Sequence, residues 1–544
     1  MRRAWALIGV MGMLLSGQTA VRAAPGPFRA ALADSLLRVQ PEQTPPTARS
    51  LRLAAARNEW IGFQVIVTAG AAALEGVNVT VATLKGPEGA TLPAPRLYRE
   101  HYLQVTQPTP RSKAPPGWWP DALIPFAIPA SERLPGAPRF TGAPFTVQAG
   151  RNQPVYAELR IPEQARPGAY RGQVVVTARG QKPLRMPLRL TVWNLTLPRT
   201  PACQSNFGSF GRAARQAGLR ADSPEARALI RRYENVLMAH RLMPAMPEGA
   251  SVAAGPDGAP DLSGLLPILR DYFETRHASA LQLPLPIAAP TGAGREKAIH
   301  YLRSYYAFLA AHGWADRAYT YLLDEPNDAD AYEQVRRLAA MVREADPKIR
   351  FLCTEQPIPD DPAWGTLVGA VNLWCPLWAL WDNASIREHL RQGEQVWSYT
   401  ALCQGKEETP FWELDFPLLN YRVASWQNWI TGCTGLLYWT TVYWDKTPDP
   451  WTNPRTYNQF NGEGALFYPG QDAGVNGPVA SLRLKAIRDG MQDYDLCALL
   501  AAKKGREAAD AIVRQVARDW RDWEKDPQAL FKARERLARA ILQE

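Results

Sequence analysis

Histidine is scarce in this 544-residue sequence, with six in all, and none falls in an HExxH pair or at another ligand spacing. A zinc-peptidase helix is thereby excluded. No GxSxG elbow and no phosphate loop occurs, so nucleophile-elbow and P-loop chemistries have no foothold. Asp324, Asp328 and Asp330 imitate part of a calcium loop, but the glycine and closing glutamate are not where such a loop needs them. No metal and no cofactor is expected. The six cysteines (Cys203, Cys353, Cys375, Cys403, Cys433 and Cys497) include no CxxC pair, and several end apolar runs. Buried free thiols are the reading favoured over disulfides. The formal charge of +10 is spread along the chain without a run of five or more like charges. A nucleic-acid partner would need a clustered basic patch, so none is expected. Internal repeats and low-complexity segments are absent too. So, beyond the extreme N-terminus, is any apolar stretch of membrane-spanning length.

The N-terminus itself is distinctive. Arg2 and Arg3 precede an apolar stretch over 4–15, and Val21-Arg-Ala23 offers small residues for cleavage. Residues 1–23 read as a signal peptide, with an apolar part too short to span a bilayer comfortably. The mature chain is expected to be soluble and secreted or periplasmic, with no integral membrane segment. Its 46% hydrophobic content supports sizeable cores, and its length points to more than one domain.

Residues 24–197 read as all-β. Short alternating, β-branched runs at 59–67, 77–83, 155–161, 170–177 and 184–193 are punctuated by glycine and proline turns, the pattern of a β-sandwich. Between them, 115–121 is expected as a long ordered Pro/Trp loop that reaches toward a neighbouring cleft or caps the sandwich. After the linker 197–201 the pattern changes to alternating strands and helices. Strands are expected at 205–210, 241–245 (poor), 280–285, 319–324, 349–354, 371–375, 395–400 and 435–440, with helices between several of them. Eight strands in that order fit a (β/α)8 TIM barrel over 202–500. No glycine-rich phosphate loop follows the first strand, which weakens an open doubly wound sheet. The segment from Ser481 onward reads as helical, packed on the barrel with a solvated charged face, and 501–544 as a C-terminal helical tail.

The barrel reading gives one stretch a special place. Tyr319-Thr-Tyr-Leu-Leu-Asp-Glu-Pro326 is a buried strand that ends in two acids and a proline. Active sites of such barrels lie at the carboxyl ends of the strands, so Asp324 and Glu325 are the candidate catalytic pair. Carboxylates there suit glycoside hydrolysis, which needs a proton donor for the leaving oxygen and a second group at the anomeric centre. The alternative is that Asp324 caps the following helix. The seventh strand, where a second carboxylate is often found, ends in Tyr399-Thr-Ala-Leu-Cys403, and the next acids are Glu407 and Glu408 in a loop. That absence favours an inverting enzyme or a substrate whose own 2-acetamido group attacks. Ten of the nineteen tryptophans fall between Trp374 and Trp451. Trp374, Trp397 and Trp439 are candidate sugar platforms, Tyr399 a candidate for holding an acetamide oxygen, and Glu413, Asp415 and Glu463 spare acids for sugar hydroxyls.

Tyr321-Leu-Leu-Asp-Glu-Pro326, Leu437-Tyr-Trp-Thr440, Gly462-Glu-Gly-Ala-Leu-Phe-Tyr-Pro-Gly470 and the stretch from Ser481 to Tyr494 also carry a resemblance. They look like domain-of-unknown-function family 4091, which is related to glycoside hydrolase family 123, the β-N-acetylgalactosaminidases. The resemblance implies a β-sandwich followed by a (β/α)8 barrel, a glycan substrate, and substrate-assisted catalysis that retains configuration. By it, Asp324 would orient the acetamide and Glu325 would be the general acid/base. Two other readings stand beside it: a glycosidase of other specificity that recruits Glu413 or Asp415, and a carbohydrate-binding protein without turnover. The sequence is silent on oligomeric state.

Overall fold

The computed structural model of the chain describes residues 28–287, 291–402 and 408–543. The leader expected at 1–23, Cys403 and Glu407 lie outside the described residues. Residues 29–196 form two sheets. The first orders Arg29–Asp34, Trp60–Thr68, Asn152–Arg160, Arg96–Val105 and Gly117–Pro125, all antiparallel. The second orders Leu51–Arg57, Leu184–Thr196, Gly168–Thr177, Leu74–Val81 and Phe145–Val147, with its first pair parallel. Alternation along each strand sends Phe63, Val65 and Val155 of one sheet against Val79, Val174 and Leu190 of the other, in one shared core. The expected Pro/Trp loop at 115–121 is mostly strand: Trp118 and Trp119 pair with Gln104 and Leu103. An edge strand tolerates Pro120 and Pro125 because one row of its backbone groups is not needed for the ladder.

The first sheet is buried on both faces. Its outer face carries Tyr156 and Leu123 into the main core of the second half of the chain, while the opposite face of the edge strand carries Ala122 and Ile124 into a smaller core with Leu414, Trp444 and Ala465. That half is a nearly closed parallel barrel. Its strands are β1 (Gln204–Asn206), β2 (Leu281–Gln282), β3 (Ala318–Tyr321), β4 (Arg350–Cys353), β5 (Leu373–Trp374), β6 (Gln395–Tyr399) and β7 (Gly435–Leu437). They neighbour one another in the order β1-β7-β6-β5-β4-β3-β2, every pair parallel. Among the described residues seven strands are therefore formed where eight were expected. The weak segment at 241–245 lies in the gap between β1 and β2 without strand geometry. It is stitched to β1 by Phe207 N–H to Met243 O (2.9 Å) and to β2 by Gln282 N–H to Ala245 O (2.8 Å). Pro244 has no N–H for a ladder, and Arg241 sits at φ +62°, so this stretch cannot run as a regular strand.

Helices α1 (Pro224–Ala239), α2 (Ala293–Ala311), α3 (Ala329–Ala345), α4 (Asn383–Arg391) and α5 (Leu419–Thr431) follow or flank the barrel strands. No described helix is long and apolar enough to cross a membrane. Cys203, Cys353, Cys375, Cys433 and Cys497 are buried free thiols. Helix α6 (Leu482–Lys504) runs through the expected boundary at 500, and α7 (Pro527–Leu542) packs on it. The charged face expected on α6 is buried rather than solvated, because the first sheet brings opposite charges to it. Glu158 takes Lys485 Nζ at 2.9 Å and Arg488 Nη1 at 2.6 Å. Burial would raise Glu158, but these two cations hold it below the usual carboxylate range. Asp493 takes Arg422 at 2.7 Å and Arg534 at 3.0 Å, and Arg534 also meets Glu59.

Helix α6 packs tightly on α5 at Gly490, where a Cβ would stand 2.6 Å from the Arg422 carbonyl oxygen and 2.9 Å from Ser425 Oγ. A backbone oxygen cannot step aside, so Gly490→Ala must part the helices. We expect a loss of about 1–3 kcal/mol, the range for overpacking, read as a lower midpoint in thermal unfolding. An unchanged midpoint would show that the α5–α6 contact is not tight.

Candidate active site

Strand β3 alternates Tyr319 and Tyr321 into the barrel interior, where they join Leu352, Leu373, Trp397 and Tyr399. The strand ends at Tyr321, and Leu322 and Leu323 carry the chain out of the sheet. Asp324 and Glu325 thus stand exposed on the loop at the carboxyl end of the barrel. The helix that follows is capped by Asp328, whose Oδ1 accepts the Ala331 N–H at 2.7 Å. Capping is therefore not the task of Asp324.

The two acids are held differently. Asp324 Oδ1 accepts hydroxyl hydrogen bonds from Tyr321 and, at 2.9 Å, from Thr354. Glu325 reaches the other way and accepts the Tyr399 hydroxyl at 2.6 Å, from β6. Thr354 Oγ1 also accepts the Glu325 N–H at 2.8 Å. Glu325 adopts φ +39°, a left-handed conformation that disfavours any residue with a Cβ. Such strain, on the order of 1 kcal/mol or more, persists only where neighbours over-determine it. Here it turns two consecutive side chains toward different walls of the mouth. Burial raises both tyrosine hydroxyls far above their ordinary value, and the adjacent carboxylates add to it, so both remain donors.

A carboxylate not anticipated from the sequence lies close by. Glu355 follows Thr354 past the end of β4, is 6% exposed, and accepts the Gln356 N–H at 3.1 Å. Burial, helped by the charges of Asp360 and Glu325, pushes it up to about 7. A signal existed, because 349–354 reads as a strand and Glu355 comes next, but an acid after a strand carries little weight without the partners around it.

The other candidates divide between the mouth and the packing. Trp397 lies inside the barrel against Tyr319, centroids 4.9 Å apart, and Gly435 on β7 leaves room for its ring. It is floor, fully buried, rather than an open platform. Trp374 is corrected outright: it points out of the barrel, donates to Glu394 at 2.6 Å and packs on His389 of α4. Asp415 is enclosed, accepting Thr109 N–H at 2.7 Å and its hydroxyl at 2.6 Å. Glu413 is buried too, and burial and neighbouring Glu463 raise it well above the carboxylate range. Neither Glu413 nor Asp415 offers an open carboxylate to a sugar. Glu463 is likewise buried, accepts Trp439 Nε1 at 2.6 Å and is raised by burial to about 7. Trp439 comes two residues after interior Leu437, past the carboxyl end of β7, and packs half-buried against the core outside the barrel interior. Tyr399, expected to hold a substrate group, donates its hydroxyl to Glu325. Among the described residues no group of three or more metal-ligating side chains comes together.

No curated protein matches the sequence. The glycoside hydrolase 123 N-terminal domain matches residues 36–178, and the glycoside hydrolase 123 catalytic domain matches residues 287–500. A solved family 123 glycoside hydrolase from Clostridium perfringens, described through glycolipid glycan hydrolysis, is 12% identical, with a TM-score of 0.68 over 95% of this chain and 98% of that one. At that identity the likeness is one of fold. A Bacteroides ovatus family 5 xyloglucanase is 8% identical, with a TM-score of 0.28 over 85% of this chain and 100% of that one. A family 39 glycoside hydrolase from Bacteroides cellulosilyticus is 9% identical, with a TM-score of 0.32 over 76% and 80%. Scores that low carry no argument. The two domain matches together span more than half of the sequence, in the order of the sheets and the barrel, and the catalytic one contains both exposed acids: the chain belongs to glycoside hydrolase family 123.

Proposed function

We propose that this glycoside hydrolase is exported and removes β-linked 2-acetamido sugars, N-acetylgalactosaminides first among them, by substrate-assisted catalysis with retention. One observation carries the reading: adjacent acids that are turned apart, Asp324 to the Tyr321 and Thr354 hydroxyls and Glu325 to Tyr399. Both hydroxyls on Asp324 meet Oδ1, leaving Oδ2 for an acetamide N–H. The acetamide oxygen attacks C1 as the bond to the leaving oxygen breaks, and Glu325 gives that oxygen its proton. Water then adds to C1 as the bond from C1 to the acetamide oxygen breaks, and it passes a proton back to Glu325. Two displacements at C1 retain configuration. The loop acids support this reading by their closure, since Glu413 and Asp415 are buried and Glu408 lies 3.5 Å from Lys113 on the surface. Export rests on the leader at 1–23. A glycolipid-type glycan belongs in the substrate panel, because the Clostridium perfringens relative is described as acting on one.

Glu325→Gln is expected to lose roughly 10²–10⁴-fold in kcat/KM on sugar leaving groups, the span of general acid catalysis, and less on 4-nitrophenyl glycosides, whose leaving group needs little protonation. Asp324→Asn should lower turnover of 2-acetamido substrates with either leaving group. Release of 4-nitrophenol from 2-hydroxy glycosides alone, with none from their 2-acetamido counterparts, would sink substrate assistance.

A second reading is favoured by Glu355, which is close enough to feel the charge of Glu325. In it the two carboxyls act as an acid–base pair on a water and invert configuration. Proton NMR of the first-formed anomer separates the two. Under our reading Glu355→Gln retains activity and stereochemistry but alters stability. Folded Glu355 titrates near 7 and the unfolded chain near the ordinary 4.5, so the unfolded state releases this proton first as pH rises. Its contribution is full below the unfolded value and is lost toward pH 7, by at most about 1.4 kcal/mol per pH unit. The wild-type unfolding free energy should therefore fall more steeply between those pH values than that of Glu355→Gln. Equal slopes would remove Glu355 as a buried titrating group.

A further inference from the structure

Trp439 is seated with unusual care for a half-buried side chain. Its Nε1–H is fixed at 2.6 Å by Glu463, a fully buried acid whose Oε2 has no hydrogen-bond partner among the described residues. Two glycines clear space for it. A Cβ on Gly464 (φ +67°) would stand 2.5 Å from Trp439 Cζ2, and one on Gly208 (φ +75°) would stand 2.8 Å from the Trp439 carbonyl oxygen. Two further half-buried rings extend from it. Tyr443 lies 4.9 Å from Trp439 and 5.6 Å from Tyr457, centroid to centroid, and Tyr457 meets Trp439 edge-on at 6.3 Å. Arg212 and Lys446 stand over Tyr443 and Tyr457 at 4.8 and 5.6 Å. The barrel interior does not need this cluster, which lies outside the packing of Tyr319, Trp397 and Leu437.

Its position relative to the two acids gives it a direction. Asp324 is tied to β3 and the end of β4, through Tyr321 and Thr354. Glu325 is tied to β6, through Tyr399, and β6 neighbours β7, from which Trp439 rises. The acid that protonates a leaving oxygen is therefore on the side of the aromatic cluster, and the acetamide holder is on the other. Neighbouring strands are about 4.8 Å apart, close to the width of one pyranose ring.

We propose that Trp439, Tyr443 and Tyr457 form the subsite for the leaving group, an aromatic shelf that stacks the sugar next to the 2-acetamido sugar being released. Glu463 acts as a positioning residue that holds the indole flat for it. The proposal rests on the orientation of Glu325 assigned under the proposed function. It makes this a glycan enzyme whose affinity depends on the second sugar, beyond the sugar at the acids.

The test compares Tyr443→Ala and Tyr457→Ala with the wild type on two probes, 4-nitrophenyl β-N-acetylgalactosaminide and a trisaccharide with terminal β-linked N-acetylgalactosamine. Both tyrosines are half-exposed, so these variants are chosen ahead of Trp439→Ala, where loss of the Glu463 partner threatens folding. We expect kcat/KM on the trisaccharide to fall at least tenfold further than on the aryl monosaccharide, mostly through KM, with base stacking on aromatic rings as the scale of such contacts. Equal losses on the two probes, or no loss on either, would overturn the shelf. Calorimetric binding of the trisaccharide separates this from failure of the proposed function. A wild type that binds the trisaccharide without cleaving it, with binding lost in Tyr443→Ala, keeps the shelf and removes the hydrolytic reading. A wild type that cleaves the trisaccharide, with binding and cleavage unchanged in both variants, keeps the hydrolysis and removes the shelf. A wild type that neither binds nor cleaves it overturns both.

Discussion

The guanidinium of Arg483 is fully buried, and the arrangement of the molecule depends on how it is satisfied. It donates to both oxygens of Asp121 from the first sheet, to the Gly462 carbonyl at 2.7 Å and to the Ala465 carbonyl. A charge taken out of water costs several kcal/mol unless paired and hydrogen-bonded, and removing one partner of such a pair typically costs about 3–5 kcal/mol. Arg483 therefore fixes three things at once: helix α6, the edge strand Gly117–Pro125, and the loop at 462–465. That loop carries Glu463 and Gly464, on which Trp439 rests. The path from the first sheet to the barrel mouth is a short series of buried polar contacts, and the sheet region supports the catalytic half of the chain.

The same logic recurs along α6. Lys485 and Arg488 are matched by Glu158, and Arg422 and Arg534 by Asp493. Burial lowers Lys485 to about 8, against the pull of Glu158. A helix of this kind gains little from its charges in net stability, but it docks in only one register, because any other leaves a charge unpaired in the interior. At the mouth a second constraint takes over. Glu325 holds a left-handed backbone conformation, and the Thr354 hydroxyl that accepts its N–H also donates to Asp324. One side chain from β4 thus orients both acids of β3.

Much of the fold could be read from alternation. The strand Leu184–Thr196 buries every second residue over most of its length, and its apolar positions are those that enter the core between the sheets. The acids at 324 and 325 were legible because a β-branched and aromatic run stopped abruptly at them. Other features were not legible, for physical reasons. Period two says which residues share a face of a strand, but not which face is the inside. Trp374 and Trp397 were therefore equal candidates, and only one of them entered the barrel. The segment 241–245 has weak strand character, and its place in the barrel depends on hydrogen bonds offered by β1 and β2. Glu413 and Asp415 read as loop acids; Asp415 is enclosed by Thr109, from a distant stretch of chain, and Glu413 is buried near the charge of Glu463.

The sequence by itself determined the local alphabet: a β-rich first half, alternating strands and helices after it, an Asp-Glu pair at a strand end, and motifs that resembled a glycosidase family. These follow from periodicity and turn chemistry, which act over a few residues. Tertiary structure decided what each side chain meets. It turned the two acids toward different walls, closed the spare carboxylates into the interior, and took the charges of α6 out of water. It also buried Glu355 within reach of the charge of Glu325 and placed Tyr457 beside Trp439. Each of those outcomes depends on partners far away in the chain, and desolvation and pairing are energies of an environment that no short stretch of sequence contains.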